Sequence, residues 1–299
     1  MKDAETLRVK LFGQNGRWRI FGQSYGAFIV HRYLEVAPEH IDKAYAHGNA
    51  LGFNQVEKVT MRIESQQRVA KDYFKIYPED EKIIFKIRSL IPESRCFSDE
   101  HNLICGPGVL DASASSFLLS PSHWKDLHGW LNYFLIPPDF KNIYEPNLLK
   151  WITYFTFGDN TENEFLFEAI NRVEREEDDG ACQKATHNLE ALGEFPTPWA
   201  INECRLLHAF LSEYSSYVRT ISARDPLTLD GFITAFDTLK GSVPFYLYSG
   251  HLDPIVPEGM FQKEVGSLSR HTGFHYENFR MSGHDGYESE SNVWRDLSQ

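Results

Sequence analysis

Trp18-Arg19-Ile20-Phe21-Gly22-Gln23-Ser24-Tyr25-Gly26 decides how this chain is read. A short apolar run leads into Gly-x-Ser-x-Gly, and a helical pattern from Tyr25 to Val36 leads away from it. The reading is strand, sharp turn, helix, with the serine on the turn. Glycines beside such a serine let strand and helix backbones approach closely, and the turn lifts the hydroxyl above the sheet as a nucleophile elbow. The five-residue pattern alone is weak, since composition yields it by chance in roughly one chain in ten of this length. Its weight comes from what surrounds it.

Upstream, the pattern predicts a helix at about Ala4 to Phe12 and a turn at Gly13 to Gly16. Downstream, Pro38 stops the helix, and Ile41 to Gly48 resembles the next parallel strand with its exit loop, though its apolar content is thin for a strand buried on both faces. From about Gly52 to Lys240 the pattern changes to long, polar, aromatic-rich helical stretches, among them Gln55 to Tyr77 and Glu164 to Glu177. Strand patterns return at Val243 to Gly250 and Gly273 to Phe279, with a helix from Pro257 to Leu268 between them. The expected organisation is a core begun by residues 1–51, a helical cap over 52–240, and a core completed by 241–299. The acidic run Glu174 to Asp179 reads as a solvated helix end, and no internal repeat is apparent.

Two later loops supply what a serine nucleophile needs, in the chain order Ser, Asp, His of the α/β-hydrolase fold. Asp253 follows an apolar strand in Ser249-Gly250-His251-Leu252-Asp253-Pro254, where a strand-end loop can aim a carboxylate; the plainer alternative is a turn residue before proline. His284 lies in Ser282-Gly283-His284-Asp285-Gly286, whose glycines let a loop bring the ring over the serine; the plainer alternative is an ordinary loop histidine. Serine oxygen is a poor nucleophile at its own pKa, so His284 takes its proton as Ser24 attacks, while Asp253 fixes the imidazole tautomer and steadies the imidazolium. The amide N–H of Tyr25, the residue after the nucleophile, is the expected oxyanion donor. This chemistry requires no cofactor. The remaining histidines, including His31, His47, His251 and His275, show no paired metal-ligand spacing, so no metal is expected.

Composition bounds the partners. The 299 residues, 42% hydrophobic and 14% aromatic, suffice for one large domain or a domain with an insertion. A net charge of -12 disfavours nucleic acid, because an acidic surface repels the phosphate backbone. No apolar run approaches the roughly twenty residues that span a bilayer, and Met1-Lys2-Asp3-Ala4-Glu5 lacks the apolar core of a signal peptide. Cys96, Cys105, Cys182 and Cys204 are too sparse for a disulfide scaffold, so reduced thiols and a cytoplasmic setting are expected.

The segment Gly22-Gln23-Ser24-Tyr25-Gly26, preceded by Asp3 to Trp18 and followed by Ala37-Pro38-Glu39-His40-Ile41, resembles the proline iminopeptidase (prolyl aminopeptidase) branch of the α/β-hydrolases. The likeness is strongest over residues 3–50 and continues at Gly250-His251-Leu252-Asp253 and Gly283-His284; the cap is similar mainly in size and helical character. The resemblance implies a serine exopeptidase that releases N-terminal proline from peptides with a free N-terminus, with acidic cap residues holding the substrate's α-ammonium. Glu194 and Glu203, flanking an aromatic segment, are the candidates for that role; surface acids on a helical cap are the plainer alternative. The family's His-Gly-Gly-Pro-type loop, which supplies a second oxyanion donor, would lie upstream of residue 1. The reading therefore expects an N-terminally truncated sheet, reduced activity, and an open sheet edge that favours self-association or a separate N-terminal polypeptide. An esterase or other acyl hydrolase on the same fold, or a catalytically silent fragment, are the alternatives, because fold and triad do not fix the substrate.

Overall fold

A computed structural model of the chain describes residues 2–53, 55–90, 96–98, 103–105, 117–133, 227–239 and 242–298, together with Leu110 and Ala114. The chain divides into two compact units, residues 1–54 with 227–299 and residues 55–226.

The first unit opens with α1 (Lys2–Phe12), β1 (Trp18–Gln23), α2 (Tyr25–Val36) and β2 (Ile41–His47). Its second part follows the other unit's α3 (Gln55–Ile76), α4 (Pro78–Leu90), β3 (Cys96–Ser98), β4 (Leu103–Cys105) and α5 (Trp124–Tyr133). It adds α6 (Leu229–Thr238), β5 (Phe245–Gly250), α7 (Gln262–Leu268), β6 (Phe274–Phe279) and α8 (Tyr287–Leu297). Four strands form one parallel sheet in the order β1-β2-β5-β6. Among the described residues β1 is therefore an edge strand, and its Phe21 is 37% exposed.

Both faces of this sheet are covered. Ala27, Phe28, Val30, Tyr33 and Leu34 form the buried side of α2, which packs on β1 and β2. The thin apolar pattern of β2 has its reason here: Ala44 and Ala46, both fully buried, present small side chains to one face, while Tyr45 and His47 alternate to the other. On the α2 side, Phe232 and Phe236 of α6 close on Phe245 at ring-centroid distances of 5.9 and 6.0 Å. Each buried phenyl group contributes about 1.5–3 kcal/mol by leaving water. On the opposite side Val293 of α8 packs with Tyr45 and Tyr248. The stretch expected as one helix from Pro257 to Leu268 is instead a 3-10 turn, Glu258–Phe261, followed by α7. Pro257 has extended backbone, and its carbonyl accepts the Met260 N–H in a tight turn.

In the second unit, Pro78 marks the break between α3 and α4, since it cannot continue a helix and suits a first turn. Asp80, fully buried, accepts the Tyr73 hydroxyl from α3 and faces His128 Nδ1 of α5 at 3.0 Å, so one carboxylate joins three helices. The short β3–β4 hairpin sets Cys96 opposite Cys105 in register. The expected helix at Glu164 to Glu177 lies outside the described residues.

Candidate active site

The C-terminal ends of β1, β2 and β5 and the loop after β6 meet at one place. Ser24, between β1 and α2, has φ 53° and ψ -116°, and is the one described non-glycine residue with positive φ. Such a conformation costs about 1–3 kcal/mol and persists only where neighbours impose it. Here the Ser24 N–H donates to the His47 carbonyl at 2.8 Å, and the Ser24 carbonyl accepts from the Ala27 and Phe28 amides at 3.0 and 3.3 Å. The glycines of the elbow differ in what they do. A Cβ on Gly22 would stand 2.1 Å from the Gly26 carbonyl oxygen, whereas one on Gly26 would meet nothing within 4 Å. The expectation that close packing demands both glycines is corrected: the steric demand falls on Gly22, because it is the strand residue over which the helix backbone passes.

β5 ends at Gly250, where a Cβ would lie 2.4 Å from the Gly283 carbonyl oxygen. The acid loop and the histidine loop thus touch backbone to backbone. The His251 and Leu252 amides donate to the Phe279 and Ser282 carbonyls at 2.9 and 3.0 Å. Asp253 is fully buried, and its Oδ1 accepts the amides of Ile255 and Val256 at 2.7 and 2.8 Å. Burial pushes its carboxyl pKa up, but the facing His284 and the amide donors outweigh this and hold it below the ordinary value.

His284 connects the acid to the serine. Its Nδ1 lies 2.8 Å from Asp253 Oδ2 and its Nε2 lies 3.0 Å from Ser24 Oγ. A carboxylate only accepts, so Nδ1 carries the proton and Nε2 is left to accept from the serine hydroxyl. The ring is also backed by Gly48, at φ 67°, where a Cβ would stand 3.3 Å from His284 Cε1. Beneath the loop, His47 is fully buried with neither ring nitrogen hydrogen-bonded. Burial lowers its pKa, and the neighbouring His284 acts in the same direction; Asp253, Asp285 and the nearby Gly283 carbonyl pull the other way without prevailing. Burial thus favours the neutral imidazole of His47 beside the pair.

The structure brings Ser24, Asp253 and His284 together, and Tyr25 opens α2, so its amide stands in the first turn, the part of a helix that best holds an anion. Glu194 and Glu203 lie outside the described residues. Among the described residues no group of three or more His, Cys, Asp or Glu side chains could hold a metal ion, and no helix is long and apolar enough to cross a membrane. Sequence reasoning passed over Gln23, whose Nε2 donates to the His284 carbonyl, and Gly48. Gln23 occupies an unconstrained position of the motif, and Gly48 carries no local pattern beyond being a glycine after a strand.

A parallel sheet with a serine strained on a strand-to-helix turn, and an acid and a histidine on loops after successive later strands, is the α/β-hydrolase fold. No protein-family model matches the chain, and no curated protein matches it in sequence. Among solved structures it is similar to an α/β hydrolase enzyme from a Medee basin deep-sea metagenome library, with 12% identity and a TM-score of 0.33 over 99% of this chain and 68% of that one. It is also similar to a serine hydrolase from the polyaromatic-hydrocarbon-degrading bacterium Cycloclasticus zankles, with 13% identity and a TM-score of 0.34, covering 99% and 66%. An acetylester hydrolase from Corynebacterium glutamicum matches with 12% identity and a TM-score of 0.35, covering 95% of this chain and 59% of that one. The chain thus spans about two thirds or less of the length of these structures.

Proposed function

We propose that the chain is a serine hydrolase that cleaves carboxylic esters through an acyl-enzyme on Ser24. The observation that carries this is the relay from Asp253 Oδ2 through His284 to Ser24 Oγ, at 2.8 and 3.0 Å, on a serine held at positive φ. Ser24 Oγ attacks the acyl carbon as Nε2 takes its proton. Nε2 then gives that proton to the departing alcohol, and water repeats the sequence to release the acid and free Ser24. Asp253 stays ionised and stabilises the imidazolium formed in each half.

The Tyr25 amide, in the first turn of α2, supplies an oxyanion donor, and an ester asks less of such a site than an amide because an alcohol is the better leaving group. The second reading, an aminopeptidase releasing N-terminal proline, is what the resemblance of the motif segment in residues 3–50 to proline iminopeptidases implies. A cytoplasmic setting belongs to the same proposal, supported by the four scattered cysteines.

A fluorophosphonate probe tests the chemistry: labelling of wild type but not of Ser24→Ala is expected, and soluble wild-type protein that takes no label sinks the hydrolase reading. Turnover of a p-nitrophenyl ester of a short acid, set against Pro-arylamide, decides the substrate class. Preference for Pro-arylamide would replace the ester reading with the aminopeptidase one.

A further inference from the structure

We propose that Gln23 is a positioning residue for His284, tying the backbone of the general base to the strand that carries the nucleophile; its kinetic consequence rests on the serine-hydrolase reading. Gln23 is the last residue of β1 and the immediate neighbour of Ser24. Its side-chain Nε2 donates to the main-chain carbonyl of His284 at 2.5 Å, across 261 positions of sequence. A carbonyl only accepts, so the NH2 end of the amide is the end that faces it.

Gly286 makes the second observation. It has φ 65°, and a Cβ there would stand 2.9 Å from Gln23 Cδ and 3.1 Å from its Oε1. The histidine loop therefore closes down onto the glutamine side chain, and the left-handed glycine is what lets it come so near. Three of the contacts that grip the loop bear on where His284 sits. The Leu252 amide holds the Ser282 carbonyl, Asp253 holds the His284 ring, and Gln23 holds the His284 carbonyl. The first two grips come from the acid loop after β5. The third comes from β1 itself, so the amide fixes the base relative to the serine it must deprotonate rather than relative to the acid alone. Rotation of the His284 main chain would swing Nε2 away from Oγ, and proton transfer falls steeply with such misplacement.

Gln23→Met keeps the length of the side chain and removes its donor. With active sites counted by stoichiometric phosphonate labelling, kcat per labelled site is expected to fall about tenfold, with KM within about twofold of wild type. The labelled fraction is expected to stay as in wild type. A labelled fraction that drops while kcat per site stays at the wild-type value would make Gln23 structural only, and would overturn the assignment. A second readout needs no turnover: in a histidine 13C NMR titration, the resonance that His284→Asn removes is expected to shift its midpoint in Gln23→Met. An unmoved midpoint overturns the proposal even if wild-type protein proves unreactive toward the phosphonate, an outcome that would refute the hydrolase reading separately.

Discussion

Among the described residues of the sheet-bearing unit, two histidine–carboxylate pairs have a fully buried carboxylate, and by their own geometry they are nearly the same object. His284 meets Asp253 at 2.8 Å and His31 meets Glu264 at 2.7 Å, with both carboxylates fully buried. The difference is what the second ring nitrogen meets. His284 Nε2 faces a serine hydroxyl at 3.0 Å, a group that can give up a proton to it. His31 Nδ1 faces the Ala27 carbonyl at 2.7 Å, which only accepts. With acceptors at both nitrogens, His31 must carry both protons, and it is an imidazolium held between the start of α2 and α7. Glu264 also accepts the Leu51 amide at 2.9 Å, which adds the segment after β2 to the same clamp. Whether a histidine–carboxylate pair can take up a proton or only fasten two segments is set by its third partner.

The sharpest way to break the comparison is to remove the same charge from each pair. Asp253→Asn should leave the fold intact and reduce kcat by about 10⁴-fold on an ester substrate, because the wrong imidazole tautomer is then favoured. Glu264→Gln should do the reverse. It strands a buried imidazolium at a cost of about 3–5 kcal/mol in stability, read as a lower urea midpoint, while kcat per phosphonate-labelled site stays within about twofold of wild type. Replacing the pair together, His31→Leu with Glu264→Leu, should recover most of that loss, since a buried ion pair adds little over well-packed apolar groups. Equal losses of kcat per site in Asp253→Asn and Glu264→Gln would end the distinction.

A smaller effect tests what surrounds the relay. Gly48 and Gly13 have similar left-handed backbones, at φ 67° and 79°, but a Cβ on Gly48 meets the His284 ring at 3.3 Å whereas one on Gly13 meets nothing within 4 Å. Alanine at either position should cost about 1–2 kcal/mol in stability. In Gly48→Ala alone kcat per site should also fall, by about tenfold, as the ring is displaced. An equal kcat in the two variants would mean that the Gly48 contact does not position the base.

How much of this was legible in the sequence follows from the range of each contact. The elbow is local: strand, glycine, serine and helix occupy consecutive positions, so periodicity and a five-residue pattern suffice to place Ser24. Asp253 and His284 could be named because each follows a strand pattern in a chain order the fold constrains. The His31–Glu264 clamp spans 233 positions, with His31 on a helix face that reads as ordinary core and Glu264 on a short helix where an acid reads as surface. No periodic signal reports that a charged residue is buried, since its burial depends on a partner from another element. Gln23 was hidden for the same reason. Its place in the motif tolerates many residues, and its task is set by a carbonyl 261 positions away.

The finest distinction concerns pH, where a third buried imidazole joins the comparison. Burial works against the charge on His31, but Glu264 and the Ala27 carbonyl outweigh it and raise its pKa above the ordinary 6.5; the rings of Phe232 and Phe245 supply the rest of its surroundings. Its contribution to stability is therefore fully present below pH 6.5 and is lost as pH rises through the raised folded value. His47, without hydrogen-bonding partners, has its pKa lowered from 6.5, so the folded state refuses a proton that the unfolded chain accepts. Its cost is absent above pH 6.5 and grows as pH falls through that value. Urea midpoints measured from about pH 5 to 9 should show the two slopes with opposite sign. His47→Gln should flatten the acid side and leave the alkaline side, and the His31→Leu, Glu264→Leu pair should do the opposite. An acid side that His47→Gln leaves unchanged would mean that folding does not lower the His47 pKa, and that burial does not keep a positive charge from the ring beside His284.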